Sequence, residues 1–70
     1  MTNTTSITRL VTVLTQRADD TKNQGIITQG EHVLFVENVT GIYMAYMNGK
    51  DDAETARQAM HKQAMRFGII

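Results

Sequence analysis

The segment from Asp51 to Phe67 constrains the fold most, because it carries a helix start, a helical period and a helix stop. Asp51 at the N-cap with Glu54 three residues later matches a capping box, in which each side chain pairs with a backbone N–H group that the helix leaves free. Gly68 follows as a stop signal. One apolar stripe recurs at helical spacing and comprises Ala53, Ala56, Met60, Ala64 and Phe67. The sequence therefore predicts a helix over Asp51–Phe67.

A second helical pattern runs from about Thr5 to Asn23 and ends before Gly25. Many of its residues are β-branched and individually prefer strands. A half-buried strand would need strictly alternating apolar and polar residues, however, and Leu10-Val11 followed by Val13-Leu14 breaks this alternation. We therefore expect a helix. Its apolar face would consist of Ile7, Leu10, Val11, Leu14 and Ala18.

The middle of the chain has the pattern of a β-sheet. Three apolar segments rich in β-branched and aromatic residues, Ile26–Thr28, His32–Glu37 and Ile42–Met47, are separated by Gly-containing turn sequences. The turns are expected at Gln29-Gly30-Glu31 and at Asn38-Val39-Thr40-Gly41. The segment Ile42–Met47 is also compatible with one and a half turns of helix, but the turn signals on both sides favour a strand.

The resulting order is helix, three-stranded antiparallel meander, helix (αβββα), which predicts a small two-layer α+β sandwich in a single domain, residues 1–70. The predicted core combines the apolar faces of these elements: Ile7, Leu10, Val11, Leu14, Val33, Phe35, Ile42, Met44, Tyr46, Ala56, Met60 and Phe67.

This order resembles the layout of double-stranded RNA-binding domains. In that family a basic pair at the start of the last helix grips phosphate, whereas this chain has Asp51 and Asp52 at that place. Seven basic and seven acidic residues also cancel, so the chain has no strong field toward nucleic acid. We therefore expect no nucleic-acid partner.

Length and composition place the chain in a class that needs extra stabilisation. A 70-residue domain buries only about 60% of its unfolded surface, and the sequence contains no cysteine for disulfides. Self-association is the remaining source of stability, so we expect a homodimer or small homo-oligomer. No apolar run approaches the ~18 residues of a membrane span and no signal peptide is recognisable, which predicts a cytoplasmic protein without membrane contact.

The sequence predicts no enzyme, no metal site and no cofactor. His32 and His61 are the residues that titrate near neutral pH, and sequence alone places no carboxylate beside either of them. The pairs Asp19-Asp20 and Asp51-Asp52 lie at helix ends or turns, where capping explains them. A nucleophile motif is also missing.

The predicted strands are apolar on both faces, although a sheet covered by helices on one side should alternate apolar and polar residues. The surplus face predicts a contact surface, to which a methionine and a histidine of the last helix add. Its residues are Leu34, Val36, Tyr43, Met47, His61 and Met65. The leading hypothesis is a small non-enzymatic regulatory protein that acts through protein–protein contact, of the accessory or inhibitor type carried by phages and mobile elements.

The alternative hypothesis is an oligomeric protein that binds a small, nucleotide-like ligand between subunits. Aromatic faces combined with arginine suit such a ligand. The pocket would be lined by Tyr43, Tyr46, His61 and Arg57 or Arg66.

Overall fold

Three α-helices make up the described part of the chain, residues 3–70, in the computed structural model, with side chains described from Ser6 onward. Helix α1 spans Asn3–Asn23, α2 spans Gln29–Met47 and α3 spans Ala53–Arg66. No strand occurs among these residues. The prediction of an α+β sandwich with a three-stranded meander is therefore wrong, and the fold is a small helical bundle.

The sheet prediction failed because a helix start was overlooked. Thr28 is the N-cap of α2: its Oγ1 accepts a hydrogen bond from the backbone N–H of Glu31 (3.1 Å), and its own N–H donates to Glu31 Oε1 (2.8 Å). This complete capping box begins a helix at the sequence that we expected to be a turn. Two of the three expected strands then merge into one helix, in which Phe35 and Val39 are buried four residues apart. Packing of this stripe overrides the strand preference of the single residues.

The glycines of this chain fall into two groups. Gly30 and Gly41 lie inside α2, whereas the φ angles of Gly25, Gly49 and Gly68 are positive. Gly49 shows what the second group does: its φ of +81° reverses the chain after α2, and Lys50 N then donates to the carbonyl of Ala45 at 2.9 Å. Gly25 and Gly68 end α1 and α3 as predicted.

Helix α3 confirms the most constraining feature of the sequence, with one shift at its start. The N-cap is Asp52 rather than Asp51, and its carboxylate accepts the backbone N–H of Thr55 at 2.8 Å. This hydrogen bond lowers the pKa of Asp52. The predicted capping box at Asp51 is wrong because Glu54 turns along the helix, toward Arg57 and Gln58, instead of back to the N-cap.

The core is one cluster of ten buried apolar side chains to which all three helices contribute. Its members are Ile7, Leu14, Ala18, Ile27, Phe35, Val39, Ala56, Met60, Ala64 and Ile69. The rings of Phe35 and Phe67 meet edge to face, with centroids 5.7 Å apart. Val33 and Met44, which the strand pattern placed in the core, are 43% and 54% exposed. A helical period turns both residues away from Phe35.

Polar contacts join α2 to its two neighbours. On one flank, the Tyr43 hydroxyl lies 2.9 Å from Oγ1 of Thr8, and His32 Nε2 donates to Asp19 Oδ1 at 2.5 Å. Both contacts reach α1. On the other flank, the Asn38 amide donates to Gln63 of α3 at 3.0 Å. Helix α2 therefore has two occupied flanks and one side that points away from both neighbours.

The threonines of α1 show how a β-branched segment is accommodated in a helix. Thr12 and Thr15 donate their hydroxyl hydrogen bonds to the backbone carbonyls of Thr8 and Val11, four residues earlier, at 3.1 and 2.9 Å. The hydroxyl groups are thus satisfied within the helix itself.

Over the described residues, no helix combines the length and the apolar character needed to cross a membrane.

Candidate functional site

The outward side of α2 carries four exposed apolar side chains and one exposed carboxylate, that of Glu37. We define the α2 face by five residues: Val33, Leu34, Gly41, Met44 and Met47. The four side chains are 43%, 48%, 54% and 51% exposed, respectively. Single exposed apolar residues are ordinary, but several on one side of one helix mark a contact surface.

Helical geometry explains how these residues come together. Val33, Met44 and Met47 lie within about 60° of one another around α2, with exposed Thr40 between them. Leu34 lies on the edge nearer to α3. Gly41 lies between Leu34 and Met44 around the helix, and a side chain there would meet no atom within 4 Å. Nothing among the described residues packs against the backbone at this point, so a second chain could approach it closely.

A groove between α1 and α3 is the second candidate. Its cavity of about 500 Å³ has an apolar floor of Leu10, Val13, Leu14 and Ile70. The α1–α3 groove, as we name it, carries a basic rim that consists of Arg9, Arg17, Arg57 and His61. In a three-helix bundle the groove between the first and third helices faces away from the second, so the groove and the α2 face lie on opposite sides of the protein.

The three arginines of the rim differ in their hydrogen-bond and ion-pair partners. Arg57 donates to the carboxylate of Glu54, and this hydrogen bond lowers the pKa of Glu54. Arg17 Nε reaches the carbonyl of Ile69 at 3.4 Å, a long hydrogen bond. Within the described residues, the guanidinium of Arg9 has neither a hydrogen-bond partner nor an ion-pair partner. Among the described residues, neither Arg9 nor Arg17 forms an ion pair, so both add positive charge to the rim.

The structure distributes the predicted contact residues over three places. Leu34 and Met47 belong to the α2 face, whereas Val36 and Tyr43 pack partly buried against the core. Two others lie on α3: His61 on the rim of the α1–α3 groove and Met65, which is 60% exposed. The fold does not bring these six residues together on one surface.

The residues of the predicted nucleotide-like pocket are also separated. Tyr43 and Tyr46 pack against the core from α2. Arg57 and His61 lie together on the α1–α3 groove, which faces away from α2. Arg66 is exposed in the last turn of α3. The described part of the chain does not gather the residues of this predicted pocket at one place, and a pocket between subunits stays a prediction.

The fold brings a carboxylate to one of the two histidines, which sequence alone could not show. Asp19 accepts from His32 across the α1–α2 interface, and the other ring nitrogen of His32, Nδ1, is buried without a partner. Among the described residues, no group of three or more histidines, aspartates and glutamates could hold a metal ion. The pair joins two helices.

Two signals for these surfaces were present in the sequence. The apolar surplus of residues 33–47 predicts a contact surface, but the strand pattern divides it between two faces of a sheet, whereas the structure distributes it around one helix. On α1, Arg9, Val13 and Arg17 recur every four residues, which places them on one side of a helix. That spacing is a signal for a basic and apolar surface that the helix prediction alone does not include.

Comparison with protein-family models, with curated proteins and with solved structures finds no match to this chain.

Proposed function

We propose that this chain is a non-enzymatic binding protein that acts through protein–protein contact, and that the α2 face is its contact surface. The exposed apolar side of α2 is the observation that carries the proposal. A chain of 70 residues has a small core, and covering this side would add buried apolar area that the chain cannot supply itself. The more specific role of a phage-type accessory or inhibitor stays a prediction.

The occupant that we propose for the α2 face is a second copy of the chain. In an antiparallel pair of α2 helices centred on Thr40, Val33 of one copy lies opposite Met47 of the other, and the two Thr40 residues meet on the axis. The same residues thus serve both sides, as twofold symmetry requires. Gly41 lies about 100° around the helix from Thr40, so Gly41 and exposed Glu37 border this contact on the side of Leu34.

The proposed interface is one helix wide. Helix α2 has 19 residues, or about 28 Å of length, and a contact one helix wide would bury an area at the small end of specific interfaces, about 1,200 Å² or less. We therefore expect a dissociation constant of roughly micromolar order, and a dimer that exchanges with the monomer at working concentrations.

Sedimentation velocity over a concentration series tests the proposal. Wild-type protein should shift from the 7.8 kDa chain mass to twice that mass as concentration rises. Met44→Glu should weaken the dimer at least about tenfold, because it buries a charge in an apolar contact. Met65→Glu is the matched control, since Met65 is similarly exposed but lies on α3.

Two results would contradict the proposal. A wild-type chain that stays monomeric up to a concentration of about 1 mM would exclude self-association with a micromolar dissociation constant. A dimer that Met65→Glu disrupts and Met44→Glu leaves intact would move the contact surface from α2 to α3. Circular dichroism of both variants checks that their helices are retained.

A further inference from the structure

We propose that the α1–α3 groove binds a small anionic amphiphile, a molecule with an apolar body and one carboxylate, sulfonate or phosphate head. This site is separate from the α2 face and does not depend on dimer formation. The apolar floor of the groove matches the apolar body of such a molecule, and the basic rim matches its anionic head.

The size of the cavity fits a small ligand. Its volume of about 500 Å³ is within the range of pockets that bind drug-sized molecules, roughly 300–1,000 Å³. Leu14 is buried beneath the floor, while Val13 and Ile70 are 44% and 47% exposed at its sides. An apolar body in the groove would cover both exposed side chains and remove their surface from water.

The charge of the rim selects the head group. Arg9 and Arg17 lie on the same side of α1, eight residues or about 12 Å of helix axis apart, with Val13 midway between them. Their long side chains can turn toward the middle of the groove from both ends. A carboxylate or phosphate at the edge of the groove, within reach of Arg9 or Arg17, would accept charge-assisted hydrogen bonds from a guanidinium that has one long hydrogen bond or none among the described residues.

The ends of the groove favour a small ligand over a docked helix. Along α1 the apolar floor extends only from Leu10 to Leu14, about 6 Å of helix axis. A flexible alkyl chain can fold to cover such a short floor, whereas a docked helix of several turns extends past it. Two further depressions share lining residues with the groove: one shares Arg17 and includes Asp20, and the other shares Arg57 and includes Glu54. An acidic amphipathic helix long enough to dock along α1 would meet these two carboxylates, which would repel it.

Decanoate, below its micelle concentration, is the probe for this site. In a titration followed by backbone amide NMR shifts, we expect the changes to concentrate on residues 9–17, on Arg57 and His61, and on Ile70. Decyltrimethylammonium has a tail of the same length with a positive head. It should bind at least about tenfold more weakly if the arginines recognise the head group.

Arg9→Gln is the test variant, because the Arg9 guanidinium has no hydrogen-bond or ion-pair partner among the described residues that the substitution would remove. We expect it to weaken decanoate binding about tenfold. Lys50→Gln removes the same charge from the exposed loop between α2 and α3, outside the groove, and should leave the affinity unchanged.

Three results would overturn the inference. Equal binding of the cationic amphiphile would show that the groove is apolar surface without head-group selection. Shifts centred on Met44 and Met47 would place the ligand on the α2 face. A glutamate-rich helical peptide that displaces decanoate and binds more tightly would make the groove a protein-docking site instead.

Discussion

Replacing Gly41 by alanine should stabilise the folded chain. Gly41 lies in the interior of α2 with helical backbone, and a Cβ atom there meets nothing within 4 Å. Alanine is favoured over glycine by about 0.8–1.0 kcal/mol in a helix interior, and no clash offsets the gain. For a domain of this size, a gain of that order raises Tm by about 4–8 °C.

Gly49→Ala is the matched control, since it adds the same methyl group in equally open space. Gly49 has a φ of +81°, however, and a left-handed conformation costs an alanine about 1–2 kcal/mol. We therefore expect the same chemical change to lower Tm at Gly49 and to raise it at Gly41. The opposite signs isolate the contribution of the backbone from that of the methyl group.

Thermal and urea unfolding, followed by circular dichroism at several protein concentrations, measures both variants. The series is needed because dimer formation makes Tm depend on concentration. At the lowest concentration the difference reports on the isolated chain. A Tm for Gly41→Ala equal to or below that of the wild type would contradict a helical Gly41 and restore the turn that the sequence pattern predicted at this place.

Three further predictions concern the core and the caps. Met60→Ala should lower the free energy of unfolding by about 2–5 kcal/mol, because Met60 is fully buried. The control, Met65→Ala at an exposed position, should change it by less than about 0.5 kcal/mol. Equal effects of the two substitutions in urea unfolding would refute the docking of α3. Thr28→Ala should cost about 1 kcal/mol, since it leaves a backbone N–H in the first turn of α2 unpaired, and unchanged urea unfolding would argue against the capping box. Asp52→Ala should lower Tm while Asp51→Ala does not. Because the pKa of Asp52 is lowered in the folded chain, its contribution to stability is present above the unfolded pKa of about 4 and disappears as pH falls through the folded pKa. The Tm values of the wild type and Asp52→Ala should therefore converge in acid. A Tm difference that stays constant along the pH series would refute this linkage.

The sequence was sufficient for the two outer helices because their signals agree with one another. In α3 an acidic start, an apolar stripe and Gly68 all indicate the same element, and the helix spans Ala53–Arg66 within the predicted range. In α1 a mixed preference was decided correctly by the failure of strand alternation. Agreement between independent local signals made these predictions reliable.

The middle of the chain could not be assigned by the same reasoning, because local preferences there conflict with the fold. Gly30 and Gly41 look like turn residues, and the residues between them favour strands. Two signals pointed the other way: the Thr28–Glu31 capping box, and the spacing of Phe35, Val39, Ile42 and Tyr46, which follows a helix. The α1–α3 groove was beyond local patterns, since it depends on which helices become neighbours.

The two polar contacts between α1 and α2 have a consequence for the uniqueness of the fold. Thr8 pairs with Tyr43 and Asp19 pairs with His32, so each contact lies eleven residues from the other on both helices. Sliding α2 by one turn would move its groups by about 5.4 Å and break both contacts together. Aliphatic side chains could repack after such a slide, but these polar pairs could not. They therefore favour one alignment of α2 on α1 over alignments shifted by a turn, in addition to the packing of the buried core.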